Sequence, residues 1–275
     1  MRCAWDAFIN LVPASIRREV DRLGKESLQE LRLRRGRATE LCMHGASKWL
    51  DYCATDQDIS FSVNAASRYS PWAAETASKG YITAPGGHRV GLCGVCSVRS
   101  GQVQGIRQPD SLCIRVARDF PGIGDGIPDG GSVLILGPPG TGKTTLLRDV
   151  IRSRSNKECA AVVDERGELF PGEADFLFGR RMDVLTGCGK SEGVEMALRT
   201  MGPQVIAVDE ITASSDCEAL IHAGWCGVKL LATAHAANLE DLRSRPVYRP
   251  LWSSGLFDTL VVMSVDKTWK LERMT

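Results

Sequence analysis

The sequence predicts an α/β chain in two parts: a domain built on a parallel-rich sheet, preceded by a smaller α+β domain. Three observations carry this. In the second half, short apolar runs recur at Val133–Leu136, Ala160–Val163, Val205–Val208 and Leu230–Thr233, with room between them for helices. In the first half, apolar and charged residues alternate in short stretches broken by Gly turns. Between them, Asp119–Gly131 has glycines at 122, 124, 126, 130 and 131 and prolines at 121 and 128, the best linker composition in the chain. The expected organisation is therefore domain 1–118, linker 119–131 and domain 132–275.

In the first domain, Val12–Leu23 has helical spacing and Gly24 can end that helix. Leu28–Leu33 alternates as Leu-Gln-Glu-Leu-Arg-Leu, Gly36 supplies a turn, and Ala38–Met43 returns as the second arm of a hairpin. Pro71 starts and Gly80 ends a helix through Ala73, Ala74 and Ala77. Tyr81–Ala84, a Pro85-Gly86-Gly87 turn, His88–Val98, a Ser100-Gly101 turn and strand-like segments to Val116 complete a small sheet. In the second domain, a helix over Thr144–Ser153 puts Leu146, Leu147, Val150 and Ile151 on one face. Residues 180–199 read as a Gly-rich, loop-like region. A helix runs from about Asp216 to Ala223, and Thr259–Ser264 with Thr268–Leu271 forms a closing antiparallel hairpin.

Composition narrows the class. Of 275 residues 43% are hydrophobic and 24% charged, ordinary for a globular protein. A net charge of +1 gives no strong nucleic-acid or membrane-surface signal. The start, Met1-Arg2-Cys3-Ala4-Trp5-Asp6, lacks the apolar core of a signal peptide, and apolar runs are only strand-length, so no transmembrane segment is expected. Ten cysteines in such a chain read as reduced thiols in the cytoplasm. Cys93 and Cys96 form a C-x-x-C with no second pair at zinc spacing, and are expected to be buried thiols acting as small hydrophobes. Residues 1–37 hold nine Arg/Lys against five Asp/Glu, which reads as a solvated helix face.

Chemistry concentrates after Leu136. Gly137-Pro138-Pro139-Gly140-Thr141-Gly142-Lys143-Thr144-Thr145 fits the phosphate-binding P-loop, between a strand and a helix. Its backbone N–H groups and helix start favour an anion, Lys143 reaches the β- and γ-phosphates, and Thr144 holds Mg²⁺. The expected ligands are ATP and Mg²⁺. Val205-Ile206-Ala207-Val208-Asp209-Glu210 is an apolar strand ending in two carboxylates, a Walker B pattern. Asp209 would hold Mg²⁺ beside Thr144, and Glu210 would polarise the attacking water. A second strand ends in Asp164-Glu165-Arg166-Gly167-Glu168, where Glu165 and Glu168 can face the γ-phosphate. A third ends in Thr233-Ala234-His235, where the imidazole can sense that phosphate. Transition-state charge calls for an arginine from a neighbouring subunit, with Arg181 and Arg199 as candidates. Arg89 and Arg115 are weaker candidates for contacting nucleotide from the first domain.

At this point the residues resemble a family. Gly137–Asp149, Val163–Leu169, Asp183-Val184-Leu185, Gly202–Ile211, and Gly224–Lys229 running into Thr233-Ala234-His235-Ala236 are similar to the stage III sporulation protein AA family. The most specific match is Gly80-Tyr81-Ile82-Thr83-Ala84-Pro85-Gly86-Gly87-His88-Arg89-Val90-Gly91-Leu92, and the similarity spans about residues 28–265. The resemblance implies a relative of the type II/type IV secretion and pilus ATPases, with an N-terminal domain, a RecA-like motor domain and a hexameric ring. Asp164, Glu165 and Glu168 fall on its acidic box and His235 on its His box. It also implies a motor that energises the mother cell–forespore channel complex. Its partners would be membrane proteins of that channel, met from the mother-cell cytoplasm at the inner face of the membrane. Two departures stand out. Asp209-Glu210 replaces the relatives' Gly-Glu, and Arg199 lies one residue further from Pro203 than in them. Two other readings stay open: a nucleic-acid-stimulated ATPase, and a nucleotide-gated assembly scaffold. Neutral charge opposes the first and Glu210 the second.

Overall fold

Alternation in the first part of the chain resolves into one antiparallel six-stranded sheet with helices on a single face. The computed structural model describes residues 1–68, 80–172 and 174–273. Its contacts divide the chain into one unit of Met1–Asp119 with Pro171–Phe176, and another of Phe120–Phe170 with the chain from Leu177 onward.

In the first unit, β1 (Leu28–Arg34), β2 (Ala38–Met43), β3 (Ala46–Cys53), β4 (Tyr81–Thr83), β5 (Arg89–Arg99) and β6 (Gln102–Arg115) pair in the order β3-β2-β1-β6-β5-β4. Leu31, Leu33, Leu41, Val90 and Ile114 point to one face and are buried against Phe8, Leu11, Ile16, Val20 and Ile59. Those five come from α1 (Trp5–Asn10), α2 (Ala14–Ser27) and α3 (Asp56–Ser67), or from the turn after α1. The polar positions of the same strands face outward, where Arg32 pairs with Glu30 and Arg34 with Glu40. Helical geometry in α2 breaks at Gly24 (φ 73°), as the sequence suggests, and resumes briefly to Ser27. Three elements escaped the sequence reading: α1, β3 and α3. The signal for α3 was present in Thr55-x-x-Asp58. The Asp58 carboxylate accepts the Thr55 N–H at 2.8 Å while the Asp58 N–H donates to Thr55 Oγ1 at 3.2 Å, a reciprocal cap. The helix expected over Ala73, Ala74 and Ala77 lies outside the described residues.

Cys93 and Cys96 are exposed, which corrects the expectation of buried thiols. β4 follows β5 no further than Gly91, and β1 meets β6 only from Ser111. Beyond those points β5 and β6 form a two-stranded ribbon with bulges, and Val95, Val98 and Val103 are exposed with the thiols. Among the described residues no group of three or more His, Cys, Asp or Glu is arranged to hold a metal.

His88, inside the family-specific stretch, is fully buried. Its Nδ1 accepts the Ala117 N–H at 3.0 Å and its Nε2–H donates to the Ala4 carbonyl at 2.9 Å. It thus ties the chain's start to the end of β6. The turn before it uses Gly86 (φ +77°) and Gly87 (φ +76°), where a Cβ on Gly86 would lie 2.8 Å from Ala4 Cβ. Burial pushes the His88 pKa below its usual 6.5, opposed by the bond to Ala4. The neutral ring therefore favours the fold: its contribution is complete above pH 6.5 and is lost as the pH falls through the lower folded-state value. His88→Ala is expected to cost this unit about 1–3 kcal/mol by leaving the Ala117 N–H without its acceptor, while the Ala4 carbonyl keeps the Phe8 N–H. It should also flatten the decline in stability that wild type shows on acidification, as measured by urea unfolding between about pH 7.5 and 5.

The second unit is a seven-stranded sheet in the order β13-β12-β7-β11-β10-β8-β9. The strands are β7 (Val133–Leu136), β8 (Ala160–Asp164), β9 (Met182–Thr186), β10 (Val205–Ile211), β11 (Lys229–Ala234), β12 (Thr259–Met263) and β13 (Trp269–Arg273). All neighbours are parallel except the β12–β13 hairpin. Helices α4 (Lys143–Arg154), α5 (Lys190–Thr200), α6 (Ser214–Trp225), α7 (Leu239–Ser244) and α8 (Arg249–Ser253) connect them. The central strands are apolar throughout because both faces are covered. Val133, Ile135, Val162 and Ala207 pack with Leu146, Leu147, Val150 and Ile151 of α4. Leu134, Leu136, Val163 and Ile206 pack with Val194, Cys217 and Leu220 from α5 and α6 on the other face.

Residues 180–199 are not a loop: they form β9 and α5. β9 edges the sheet and its residues are half-buried or exposed, so it never shows an apolar run. α5 contains Gly193, where a Cβ would come within 2.5 Å of Val163 Cγ1. That glycine marks close helix–sheet packing rather than a turn. The Gly/Pro stretch at 119–131 packs on α4, with Gly122 and Gly124 N–H groups on the Asp149 carboxylate at 3.0 and 2.8 Å. No described helix is long and apolar enough to cross a membrane.

Candidate functional site

The carboxyl ends of β7, β8, β10 and β11 bring most of the predicted residues together. Between β7 and α4 the loop turns on Gly140 (φ +77°) and Gly142 (φ +97°), a backbone region that other residues rarely adopt. At Gly137 a Cβ would sit 2.8 Å from Thr141 Oγ1 and 3.1 Å from the Met263 carbonyl, so only glycine fits. Thr141 Oγ1 closes the loop by donating to the Pro138 carbonyl at 2.9 Å. Pro139 and Gly140 are exposed, while Pro138, Thr144 and Thr145 are half-buried.

Lys143 opens α4 and is only 6% exposed. Its ammonium donates to the Gly137 and Pro138 carbonyls at 2.8 and 3.0 Å and lies 3.0 Å from His235 Nδ1. Burial lowers its pKa from the usual 10.5, and the charges of Asp209 and Glu210 oppose that shift. An ammonium has no acceptor, so His235 Nδ1 receives this bond and Nε2–H donates to Glu210 Oε1 at 2.8 Å. The other Glu210 oxygen accepts from Arg166 at 3.1 Å. Beside this chain of contacts, Thr144 Oγ1 donates to Asp209 Oδ2 and Thr233 Oγ1 to Asp209 Oδ1, both at 2.7 Å.

Glu210 has φ 55°, left-handed for a residue with a side chain. The β10–β11 register slips between Val208 and Ile211 at this point, and the Glu210 N–H is held by Thr233 Oγ1 at 2.7 Å. Strain of this kind, about 1–3 kcal/mol, persists only where surrounding contacts enforce it. It aims the carboxylate at His235 instead of along the strand.

The other predicted residues are placed differently. Asp164 ends β8 almost fully buried, accepting N–H groups from Glu168, Leu169 and Phe170 at 2.9–3.0 Å. Burial pushes its pKa up to about 6, with the Asp209 charge adding and its N–H bonds and Arg148 opposing. Its geometric work is to hold the acidic turn. Glu165 pairs with Lys190 at 2.5 Å, and the Glu168 carbonyl accepts from Arg148 at 2.8 Å. Arg181 stands at the amino end of β9, donating to the Lys157 carbonyl at 2.8 Å and to Cys159 Sγ at 3.0 Å. Arg199, in the last turn of α5, donates to the Glu195 carbonyl at 3.3 Å. Neither makes a hydrogen bond to Lys143, Asp209 or Glu210. Arg89 stacks 4.1 Å over the Tyr81 ring and Arg115 pairs with Glu30 at 3.0 Å.

Sequence reasoning missed the part played by buried arginines on α4. Arg148 donates to the Leu169 carbonyl at 2.5 Å, Arg152 to the Leu177 carbonyl at 3.0 Å and Arg154 to the Gly131 carbonyl at 3.1 Å. Arg148 thereby holds the acidic turn after β8, while Arg152 and Arg154 satisfy carbonyls of the segments that lead into β9 and β7. It also missed Arg166, which the sequence shows only as one residue within the stretch Asp164–Glu168.

A P-loop at the head of a parallel sheet, with a Walker B strand between two further site strands, defines a RecA-like P-loop protein with an added α+β unit. The chain belongs to the family described as sporulation stage III, protein AA, whose model matches residues 5–271. It is 36% identical over 276 residues to stage III sporulation protein AA of Bacillus subtilis (strain 168), covering 94% of this chain and 90% of that one. Among solved structures it resembles the Legionella pneumophila ATPase DotB, with a TM-score of 0.58, 17% identity and 95% and 80% of the two chains covered. It also resembles the pilus retraction motor PilT with bound ADP, with a TM-score of 0.60, 16% identity and 90% and 76% covered. These two likenesses concern the fold; the family rests on the model and the Bacillus relative.

Proposed function

We propose that the chain is a Mg²⁺-dependent ATPase that works as a ring of six and energises the channel complex joining mother cell and forespore. The observation that carries this reading is the contact chain Lys143–His235–Glu210 beside the Thr144–Asp209 pair. It links the group expected to hold phosphate to the group expected to activate water.

The residues suit both ligands. Glycines in the left-handed region, a helix start and a buried ammonium form an anion cradle. Thr144 Oγ1 and Asp209 Oδ2, 2.7 Å apart, are hard oxygen donors on one side of it. Mg²⁺ takes one or two such protein oxygens and completes its shell from phosphate and water, so a larger carboxylate cluster is not required. When bound, it would neutralise charge on the phosphates. Lys143 would leave its carbonyl partners for the β- and γ-phosphates. Glu210 would orient a water and take its proton, and His235, relieved of Lys143, would report the γ-phosphate to Glu210. Glu165 and Glu168 shape the acidic border of the site. Arg181 and Arg199, which do not reach this subunit's site, are the arginines offered to a neighbour. The acidic turn runs directly into Pro171–Phe176, which packs with the first unit. That continuity supports a motor in which hydrolysis moves the N-terminal domain against the P-loop domain.

The membrane partners and the place of action, the mother-cell side of the channel, rest on family membership. The ring is tested by light scattering after size exclusion. Addition of a non-hydrolysable ATP analogue with Mg²⁺ is expected to gather the 29.9-kDa chain into a hexamer. A monomer with and without the analogue would rule the ring out.

A further inference from the structure

We infer that Arg166 is a switchable arginine within the subunit. It clamps Glu210, and it transfers to the terminal phosphate of the nucleotide when that phosphate arrives. The inference rests on the ATP reading given above and adds a residue that the motifs do not assign.

Both Glu210 carboxylate oxygens are already engaged, Oε1 by His235 at 2.8 Å and Oε2 by Arg166 at 3.1 Å. A carboxylate has room for about four hydrogen bonds, so a water can still be accepted, but the positive guanidinium competes with a water proton for Oε2, and its departure would leave that oxygen to the water. The Glu210 backbone cannot supply the movement. Its strained φ of 55° is pinned by the N–H bond to Thr233. His235 is the less accessible of the two partners, with a side chain 31% exposed, and it is the residue that links Lys143 to Glu210.

Arg166 is the more releasable of the two. Its side chain is 48% exposed, and a single prong of the guanidinium touches the carboxylate. Among the described residues this is the guanidinium's one hydrogen bond, so its remaining N–H donors can recruit a multivalent acceptor. The turn that carries it is rigid, closed by Gly167 N–H on the Asp164 carbonyl at 3.1 Å and by three N–H groups on the Asp164 carboxylate. The base of the side chain is therefore fixed while its head can swing.

A terminal phosphate drawn to Lys143 arrives beside His235, one residue contact from the carboxylate Arg166 holds. It offers more charge than one carboxylate and matches the fork geometry of a guanidinium. Transfer of Arg166 would at once stabilise the phosphate and free a Glu210 oxygen for water. ADP, lacking that phosphate, would leave the clamp closed. Arg181 and Arg199 are occupied elsewhere in this subunit, so neither duplicates the role.

The test compares the full chain with Arg166→Ala and Arg166→Lys. Affinities for Mg²⁺-ADP and for a Mg²⁺-bound non-hydrolysable ATP analogue are measured by competition without turnover, and kcat for ATP separately. Arg166→Ala is expected to leave ADP affinity within about twofold, weaken the analogue about tenfold, and lower kcat about a hundredfold. Arg166→Lys should recover part of the analogue affinity. Wild-type hydrolysis with an Arg166→Ala variant that keeps its preference for the analogue and an equal or higher kcat would overturn the switch and leave the ATPase reading standing. A wild-type chain that binds neither nucleotide would overturn both.

Discussion

Glu210→Gln is expected to bind Mg²⁺-ATP about as tightly as wild type and to hydrolyse it roughly 10³-fold more slowly, within the range that one positioned base supplies. The amide has nearly the carboxylate's shape, so the bulge at Val208–Ile211 and the Thr233 bond to the main chain have no reason to change. It can still accept from His235 Nε2, but it cannot take a proton from water. Nucleotide retention with single-turnover phosphate release separates the two effects. Unaltered release by this variant would remove Glu210 from the reaction and leave the strained backbone without a chemical purpose.

Lys143→Ala is expected to weaken ATP binding by about 30- to 4000-fold, equivalent to about 2–5 kcal/mol for loss of one partner of a buried charge contact. Lys143 is a buried cation at the mouth of the P-loop, facing Asp209 and Glu210. Without it the incoming phosphates meet two carboxylates with less compensation. The variant should still fold, because its bonds run to carbonyls of a solvent-bordered loop and to His235. Equilibrium binding of a fluorescent nucleotide checks this. An affinity within threefold of wild type would argue against phosphate binding at this loop.

The sequence made the centre of the second unit legible because its strands are covered on both faces. Val133–Leu136, Ala160–Asp164, Val205–Ile211 and Lys229–Ala234 lie within a few residues of the expected runs. β9 was hidden for the opposite reason: an edge strand such as Met182–Thr186 has no need of continuous apolar residues. Gly193 misled in the same region, since close packing against Val163 and a flexible turn both call for glycine. In the first unit, β1 and β2 showed in their alternation, while Cys93 and Cys96 were misjudged because alternation cannot say where a ribbon leaves the core. The P-loop and the Asp209-Glu210 strand end were visible because their chemistry is local. The Arg166–Glu210 contact was not, because 44 residues separate its partners and only the pairing of β8 with β10 brings them together.

The central claim is that this site hydrolyses ATP. The most direct test is steady-state phosphate release from purified full-length chain with Mg²⁺-ATP, read against Lys143→Ala and Glu210→Gln prepared the same way. The account predicts release by wild type that falls roughly 10³-fold in Glu210→Gln, falls with the weakened binding in Lys143→Ala, and stops on chelation of Mg²⁺. Release by wild type no faster than by Lys143→Ala would contradict it.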